Sequence, residues 1–119
     1  MSPPDILLVF TTLPEAARAH ALAEALVDKR LAACVNILAP CASVYRWQGA
    51  VERAQETPLV IKTTLARYPA LEAFVREAHP YELPELIAVP VTRGLAGYLD
   101  WVAASTIPLP TPPRQKRPD

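Results

Sequence analysis

One histidine, one cysteine and two carboxylates are candidate ligands for a divalent metal. His79 leads them, because neutral imidazole is the commonest protein ligand for copper and zinc, and Pro80 fixes the backbone just after it. Glu82 adds a nearby carboxylate, with Glu85 further on, and Cys34 offers a soft thiolate for Cu(I). The structural alternatives are a histidine stabilised at a helix C-terminus and a small core cysteine. No CxxC, HExxH or carboxylate-rich calcium loop is present, so the sequence predicts no tight metal site.

A second set of polar and aromatic side chains could line a cleft. Its members are Tyr45, Trp47, Lys62, Tyr81 and Trp101. Such a cleft at a subunit boundary could bind an anion, with Lys62 available for acid–base chemistry. The alternative is interface packing, with Lys62 paired to Glu56 or Glu82. No Ser-His-Asp order, phosphate-binding glycine loop or dinucleotide fingerprint occurs, so the sequence predicts a protein that is not an enzyme.

The composition excludes several classes of protein. Of 119 residues, 51% are hydrophobic and 20% are charged, as in one ordinary folded domain and unlike a disordered chain. Twelve basic and twelve acidic residues give no net charge, which argues against nucleic acid and membrane partners. No apolar run is long enough to cross a bilayer, and the first residues lack the features of a signal peptide. We therefore expect a cytoplasmic protein with Cys34 and Cys41 reduced.

Hydrophobic periodicity predicts four strands and three helices. Short β-branched apolar runs indicate strands, and apolar residues spaced three and four apart indicate amphipathic helices. Pro40 interrupts the second strand and indicates an edge or a bulge, Gly49 indicates a turn, and Thr12 is the expected N-cap of the first helix. The predicted strands are Asp5–Thr12, Ala33–Gln48, Ala50–Thr64 and Glu85–Val91. The first predicted helix follows Thr12 and ends near Arg30. The second begins near Pro69 and ends before Pro80, and the third begins after Gly94 and includes Val102.

This order of elements is typical of an α+β, ferredoxin-like fold. Its β-α-β-β-α-β core places two helices on one face of a four-stranded antiparallel sheet, here with a long hairpin between the second and third strands and an added C-terminal helix. The sequence predicts one domain over residues 1–107 and a Pro-rich, basic tail outside it over residues 108–119. The hairpin leaves unpaired strand edges, so the sequence predicts a homo-oligomer whose copies cover them.

Four motifs follow one another along the chain. They are Ala-Ala-Cys-Val-Asn-Ile at 32–37, Ser-Val-Tyr-Arg-Trp-Gln-Gly at 43–49, Glu56 with Lys-Thr-Thr at 62–64, and His-Pro-Tyr-Glu-Leu-Pro-Glu at 79–85. Together with Tyr-Leu-Asp-Trp at 98–101, they make the chain resemble the CutA family of divalent-cation tolerance proteins over roughly residues 5–105. The resemblance implies a ferredoxin-like subunit in a homotrimer whose strands pair between neighbours, a cytoplasmic location, and a role in tolerance of copper and other divalent metals.

The same resemblance sets the expected strength of metal binding. Some family members have a copper-binding cysteine at the end of the first strand and a second histidine beside the one that matches His79. Thr11 and Ala78 stand at those positions here. We therefore expect weak binding of Cu(II) or another divalent cation, with no obligatory cofactor and no catalysis. The alternative function is a trimeric small-molecule sensor or protein-interaction signalling module with ligand clefts between subunits.

Overall fold

The computed structural model describes residues 4–110, which form one antiparallel sheet and three helices. The elements in chain order are β1 (Ile6–Leu13), α1 (Ala16–Asp28), β2 (Cys34–Ile37), β3 (Cys41–Trp47), β4 (Ala50–Thr64), α2 (Tyr68–Ala78), β5 (Ile87–Pro90) and α3 (Ala96–Ser105). The predicted mixture of strands and helices is confirmed. The predicted second strand is divided into β2 and β3, which agrees with the interruption expected at Pro40.

β4 is the central strand of the sheet. Its second half pairs with β1 on one side, from Thr57 opposite Leu13 to Thr64 opposite Ile6, and with β2 on the other. Its first half pairs with β3, and β5 pairs with the far side of β1. The strand order is therefore β2-β4-β1-β5, with β3 joined to β4 outside this series. In this order, β2 and β5 are the edge strands.

The main core lies between the sheet and helices α1 and α2. Alternate residues of β1 and β4 face this side, including Val9 and Ile61, which are fully buried. Leu26 of α1 and Leu71 of α2 are also fully buried in this core. Each such aliphatic side chain stabilises the fold by roughly 1.5–3 kcal/mol through burial. The two helices therefore cover one face of the sheet.

The opposite face of the sheet is only partly covered. Val102 of α3 packs there against Ile6, at one end of the sheet. Farther along, Phe10 is half-buried, and Ile87 and Val89 of β5 are exposed. We call this surface the open face; its apolar members are Leu8, Phe10, Val60, Ile87 and Val89. A contiguous apolar surface of this kind is typical of a binding site for another protein chain.

β3 and the first half of β4 form a hairpin that projects from the sheet. Its two turn residues both have positive φ, 49° at Gln48 and 83° at Gly49, which is the type I′ geometry that matches strand twist. Glycine adopts this geometry without steric strain. The turn predicted at Gly49 is thus confirmed. The radius of gyration, 16.9 Å, exceeds the value of about 13 Å for a compact chain of this length, as a projecting hairpin requires.

Two predicted element boundaries are wrong. Thr12 is not the N-cap of α1, because it continues β1 and its hydroxyl donates a hydrogen bond to Glu56. The residue that does precede α1 makes no side-chain cap hydrogen bond. The last strand is also shorter than expected, Ile87–Pro90, because the Glu85 carbonyl accepts a hydrogen bond from the side chain of Thr11 rather than from a strand ladder.

The C-terminal tail lies mostly outside the described residues. Residues 108–110 follow α3 without regular secondary structure and are exposed. The basic residues of the predicted tail, Arg114, Lys116 and Arg117, lie outside the described range, so the boundary at residue 107 stays a prediction. Among residues 4–110, no helix has the length and apolar character needed to span a membrane.

We expect Leu71→Ala to lower the free energy of unfolding by about 2–5 kcal/mol, because it leaves a cavity where a fully buried side chain packs α2 on the sheet. The matched control is Leu65→Ala, whose side chain is 54% exposed and should change stability by less than about 0.5 kcal/mol. Chemical denaturation followed by circular dichroism measures both. Equal effects of the two substitutions would contradict this placement of α2.

Candidate functional site

His79 lies directly after α2 and joins it to the end of β1. Its Nδ1 accepts a hydrogen bond from the Tyr81 N–H at 3.1 Å, so the ring proton is on Nε2, which donates to the Thr12 carbonyl at 2.6 Å. The ring is buried in this arrangement. Both ring nitrogens are engaged, so metal binding by His79 stays a prediction that requires one of these bonds to break.

Glu56 is a buried carboxylate next to the same residues. It is 8% exposed, and the Thr12 hydroxyl donates a hydrogen bond to its Oε2 at 3.1 Å. Burial, and then the charge and hydrogen bond of Glu56, raise the pKa of Tyr81 above its ordinary value of 10.0, with a smaller effect from Tyr45. We call Thr12, Tyr45, Glu56, His79 and Tyr81 the Glu56 cluster. The groups that bind its carboxylate are neutral hydroxyls.

Lys62 is the centre of a second cluster. Its ammonium nitrogen lies 4.0 Å from Cys34 Sγ and donates a hydrogen bond to Asn36 Oδ1. Partial burial, and then the charge and hydrogen bond of Cys34, raise the pKa of Tyr98, whose ring centroid lies 5.5 Å from that of Trp101. We call Cys34, Asn36, Lys62, Tyr98 and Trp101 the Lys62 cluster. Three elements, β2, β4 and α3, bring these residues together.

The two clusters are far apart within one chain. Glu56 and Lys62 lie six residues apart on β4, which corresponds to about 20 Å along a strand. Lys62 therefore does not pair with Glu56 within this chain and bonds instead to Asn36 on the neighbouring strand, while its pairing with Glu82 stays a prediction. Within residues 4–110, no three His, Cys, Asp or Glu side chains come together as a metal site. The geometry thus offers two separate sites of opposite charge.

The predicted site residues are divided among four places. The Glu56 cluster contains His79, Tyr45 and Tyr81, the Lys62 cluster contains Cys34, Lys62 and Trp101, the hairpin tip carries Trp47, and the exposed loop before β5 carries Glu82. A cleft that contains all five predicted cleft residues would need more than one chain. That cleft, like the metal site of His79, Glu82 and Cys34, stays a prediction.

Cys34 and Cys41 are both free and lie opposite different parts of β4. Cys34 pairs with Lys62, and Cys41 pairs with Glu56. On a single regular strand their odd spacing predicts opposite faces, but the break between β2 and β3 puts both on the face of β4 that carries Glu56 and Lys62. Their partners on β4 are still about 20 Å apart, far beyond the reach of a disulfide.

Sequence patterns missed several residues that position these clusters. The sequence pattern predicts Thr12 as a helix cap. The motifs that contain Asn36 and Tyr98 do not indicate that these residues lie near Lys62. Strand register brings Asn36 beside Lys62, and the packing of α3 brings Tyr98 to Cys34. A usable signal is the even spacing of Glu56 and Lys62, which places both on the side of β4 away from the main core.

The chain matches a known family over nearly all of its described elements. The family described as CutA1 divalent ion tolerance protein matches residues 7–105. The chain belongs to this family. The match includes both clusters, and it confirms the resemblance that the four sequence motifs indicate.

Named relatives and solved structures of CutA proteins agree with this membership. The divalent-cation tolerance protein CutA of Thermus thermophilus is 46% identical over 83% of this chain and 96% of its own length. The human Protein CutA is 44% identical over 87% of this chain, which spans 58% of that relative. The crystal structure of CutA from Xylella fastidiosa has a TM-score of 0.84 at 43% identity and covers 87% of this chain and 99% of its own.

The donor atoms of the Glu56 cluster are mainly oxygens. The Glu56 cluster offers one carboxylate and several hydroxyl oxygens, which suit hard and borderline cations. Thr11 is buried, and its hydroxyl donates a hydrogen bond to the Glu85 carbonyl at 2.7 Å. Ala78 has no side-chain donor atom, so neither residue adds a free ligand.

We expect Glu56→Gln to lower the pKa of Tyr81 toward 10.0, because the charge and hydrogen bond of Glu56 favour the neutral phenol. Part of the elevation should remain, since burial is its largest cause. Ultraviolet titrations compared with Tyr81→Phe measure the change, and Glu72→Gln is the control because Glu72 acts on Tyr68. An unchanged Tyr81 midpoint would contradict the contact.

The same raised pKa links Tyr81 to stability at alkaline pH. Folding holds the phenol proton more tightly, so the stabilising contribution of Tyr81 is complete below about pH 10, the ordinary pKa of tyrosine. It is lost as the pH rises past the raised value. Tyr81→Phe should therefore remove part of the alkaline loss of stability.

Proposed function

We propose that the chain acts in tolerance of divalent cations, copper among them, as a cytoplasmic homotrimer of ferredoxin-like subunits that binds cations weakly and does not catalyse a reaction. Membership of the CutA1 family supports the role in tolerance. The Glu56 cluster supports cation binding, and the open face with its neighbouring strand edges supports self-association.

The buried carboxylate of Glu56 carries the proposal. Removing a carboxylate from water is costly unless positive charge or strong hydrogen bonds compensate the loss of hydration. The contacting groups here are the neutral hydroxyls of Thr12 and Tyr81. A divalent cation would supply positive charge beside Glu56, and the exposed phenol of Tyr45 would connect this position to solvent. His79 then acts as a positioning residue, because its ring holds Tyr81 in place.

A single carboxylate surrounded by hydroxyls binds cations weakly and with little selectivity, because tight sites use several charged or nitrogen and sulfur ligands. Weak, unselective binding suits a protein that responds to more than one divalent cation. The same chemistry supports copper as one of several ligands rather than as a resident cofactor.

The open face and the edge strands support assembly from identical chains. Edge strands β2 and β5 present backbone groups that no other described strand pairs. The apolar open face borders β5, with Ile87 57% exposed. Copies of the same chain would cover both features at once, which is a common way to protect exposed strand edges.

We expect Glu56→Gln to weaken binding of Cu(II) and Zn(II) by about tenfold or more, because the amide keeps the shape of the side chain and removes its negative charge. Isothermal titration calorimetry on the assembled protein measures the affinity. The control is Glu24→Gln, which removes an exposed carboxylate on α1 outside the Glu56 cluster and should bind as the unchanged protein does. Equal affinity of the Glu56→Gln variant and the unchanged protein would refute this cation site.

We expect native mass spectrometry to show three copies of the 13.0 kDa chain in one particle. Val89→Lys should release single chains, because it places a charge on the open face. Val27→Lys is the matched control, since Val27 on α1 is 43% exposed and Val89 is 42% exposed, and it should leave the assembly intact. Trimers that survive Val89→Lys would show that the open face is not the contact.

A further inference from the structure

Helix α1 carries charges of opposite sign on its two sides. Arg18 in its first turn and Lys29 just after its last residue are about three helical turns apart, so both lie on the side that faces α2. The Lys29 ammonium nitrogen lies 5.5 Å from the centroid of the Phe74 ring on α2. The carboxylates of Glu24 and Asp28 line a different groove, between α1 and β2. The space between the two helices is therefore bordered by cations.

An apolar cavity of about 200 Å³ lies between α1 and α2. Its apolar walls are formed by Leu13, Ala21, Leu22, Ala25, Phe74 and Ala78. Arg18 is the one charged side chain among the described residues that line it. Arg18, Ala21 and Ala78 are exposed, so the cavity is open to solvent at its rim. The proposed contact between copies lies on the opposite face of the sheet and leaves this cavity accessible.

We propose that this cavity binds a small aromatic carboxylate. Pockets for drug-sized ligands occupy roughly 300–1,000 Å³, so a volume of about 200 Å³ suits one ring with a short side chain. The apolar walls bury the ring of the ligand, and the half-buried ring of Phe74 offers it an aromatic contact. The guanidinium of Arg18 pairs with the carboxylate at the rim, where water also solvates the charge.

The two cations and the cavity volume together define the ligand. Arg18 and Lys29 both attract an anion and repel an amine of the same shape. A long acyl chain would extend beyond a cavity of this size and leave apolar surface in water. The inference goes beyond cation tolerance and does not depend on it, because the cavity shares no residue with the Glu56 cluster.

The test compares three molecules of similar shape on the whole assembled protein. They are phenylacetate, which is anionic, phenylacetamide, which is neutral, and phenethylamine, which is cationic. Amide NMR spectra of the isotope-labelled protein follow each titration. Phenylacetate should bind with a Kd of about 1 mM, as expected for so small a ligand, and should shift the amide signals of the cavity residues. It should bind about three- to fivefold more tightly than phenylacetamide, because an exposed ion pair adds a modest attraction. Phenethylamine should bind most weakly.

Two variants and a matched control test the contacts. Arg18→Gln should remove the preference for phenylacetate and leave the affinity for phenylacetamide unchanged. Arg76→Gln is the control, because Arg76 is an exposed arginine of α2 that does not line the cavity, and it should keep the preference. Ala21→Leu should abolish binding of both molecules, because a larger side chain at this exposed helix position fills the cavity.

Several outcomes would overturn the proposal. One is that phenylacetate shifts no amide signals of the cavity residues, or shifts only those of the open face or the hairpin. Another is equal affinity of the unchanged protein for phenylacetate and phenylacetamide. A preference that survives Arg18→Gln, or binding that survives Ala21→Leu, also overturns it. Where Ala21→Leu does not fold, the ligand series and Arg18→Gln still decide the outcome.

Discussion

The fold and its candidate sites depend on the backbone pairing of one long strand. β4 has 15 residues, and along that length it pairs with β1, β2 and β3. Since successive side chains of a strand point to opposite faces, the register that sends Leu59 and Ile61 into the core also places Glu56 and Lys62 on the other side. A slip of one residue would reverse both faces. The register of β4 therefore determines both which side chains form the core and where Glu56 and Lys62 lie.

Local patterns predicted the elements well where a single feature decides the structure. The bounds of β4, the turn at Gly49 and the break near Pro40 all follow from turn chemistry and apolar runs. The contacts of Thr12 and Asn36 do not follow from local patterns, because each contact depends on which residue of β4 lies beside it. His79 shows the same limit: its residue type indicates a metal ligand, but tertiary contacts engage both of its ring nitrogens.

The chain keeps its two notable charges apart. A carboxylate and an ammonium in contact would neutralise each other and lose most of their attraction for outside ions. Here Glu56 is bound by hydroxyls near the middle of β4, and Lys62 is bound by Asn36 near its C-terminal end. A protein with no net charge can therefore keep a negative and a positive side chain from neutralising each other. Neither site requires a pocket built for a particular molecule.

The projecting hairpin has a further consequence. Most residues of β3 are exposed, so the hairpin buries little apolar surface within its own chain. An isolated two-stranded hairpin is only marginally stable in water. If sister chains cover it, its order is linked to their concentration through mass action. The hairpin of a newly synthesised chain would then stay partly unfolded until enough copies are present to assemble. The concentration of the protein would itself determine the fraction of chains with an ordered hairpin.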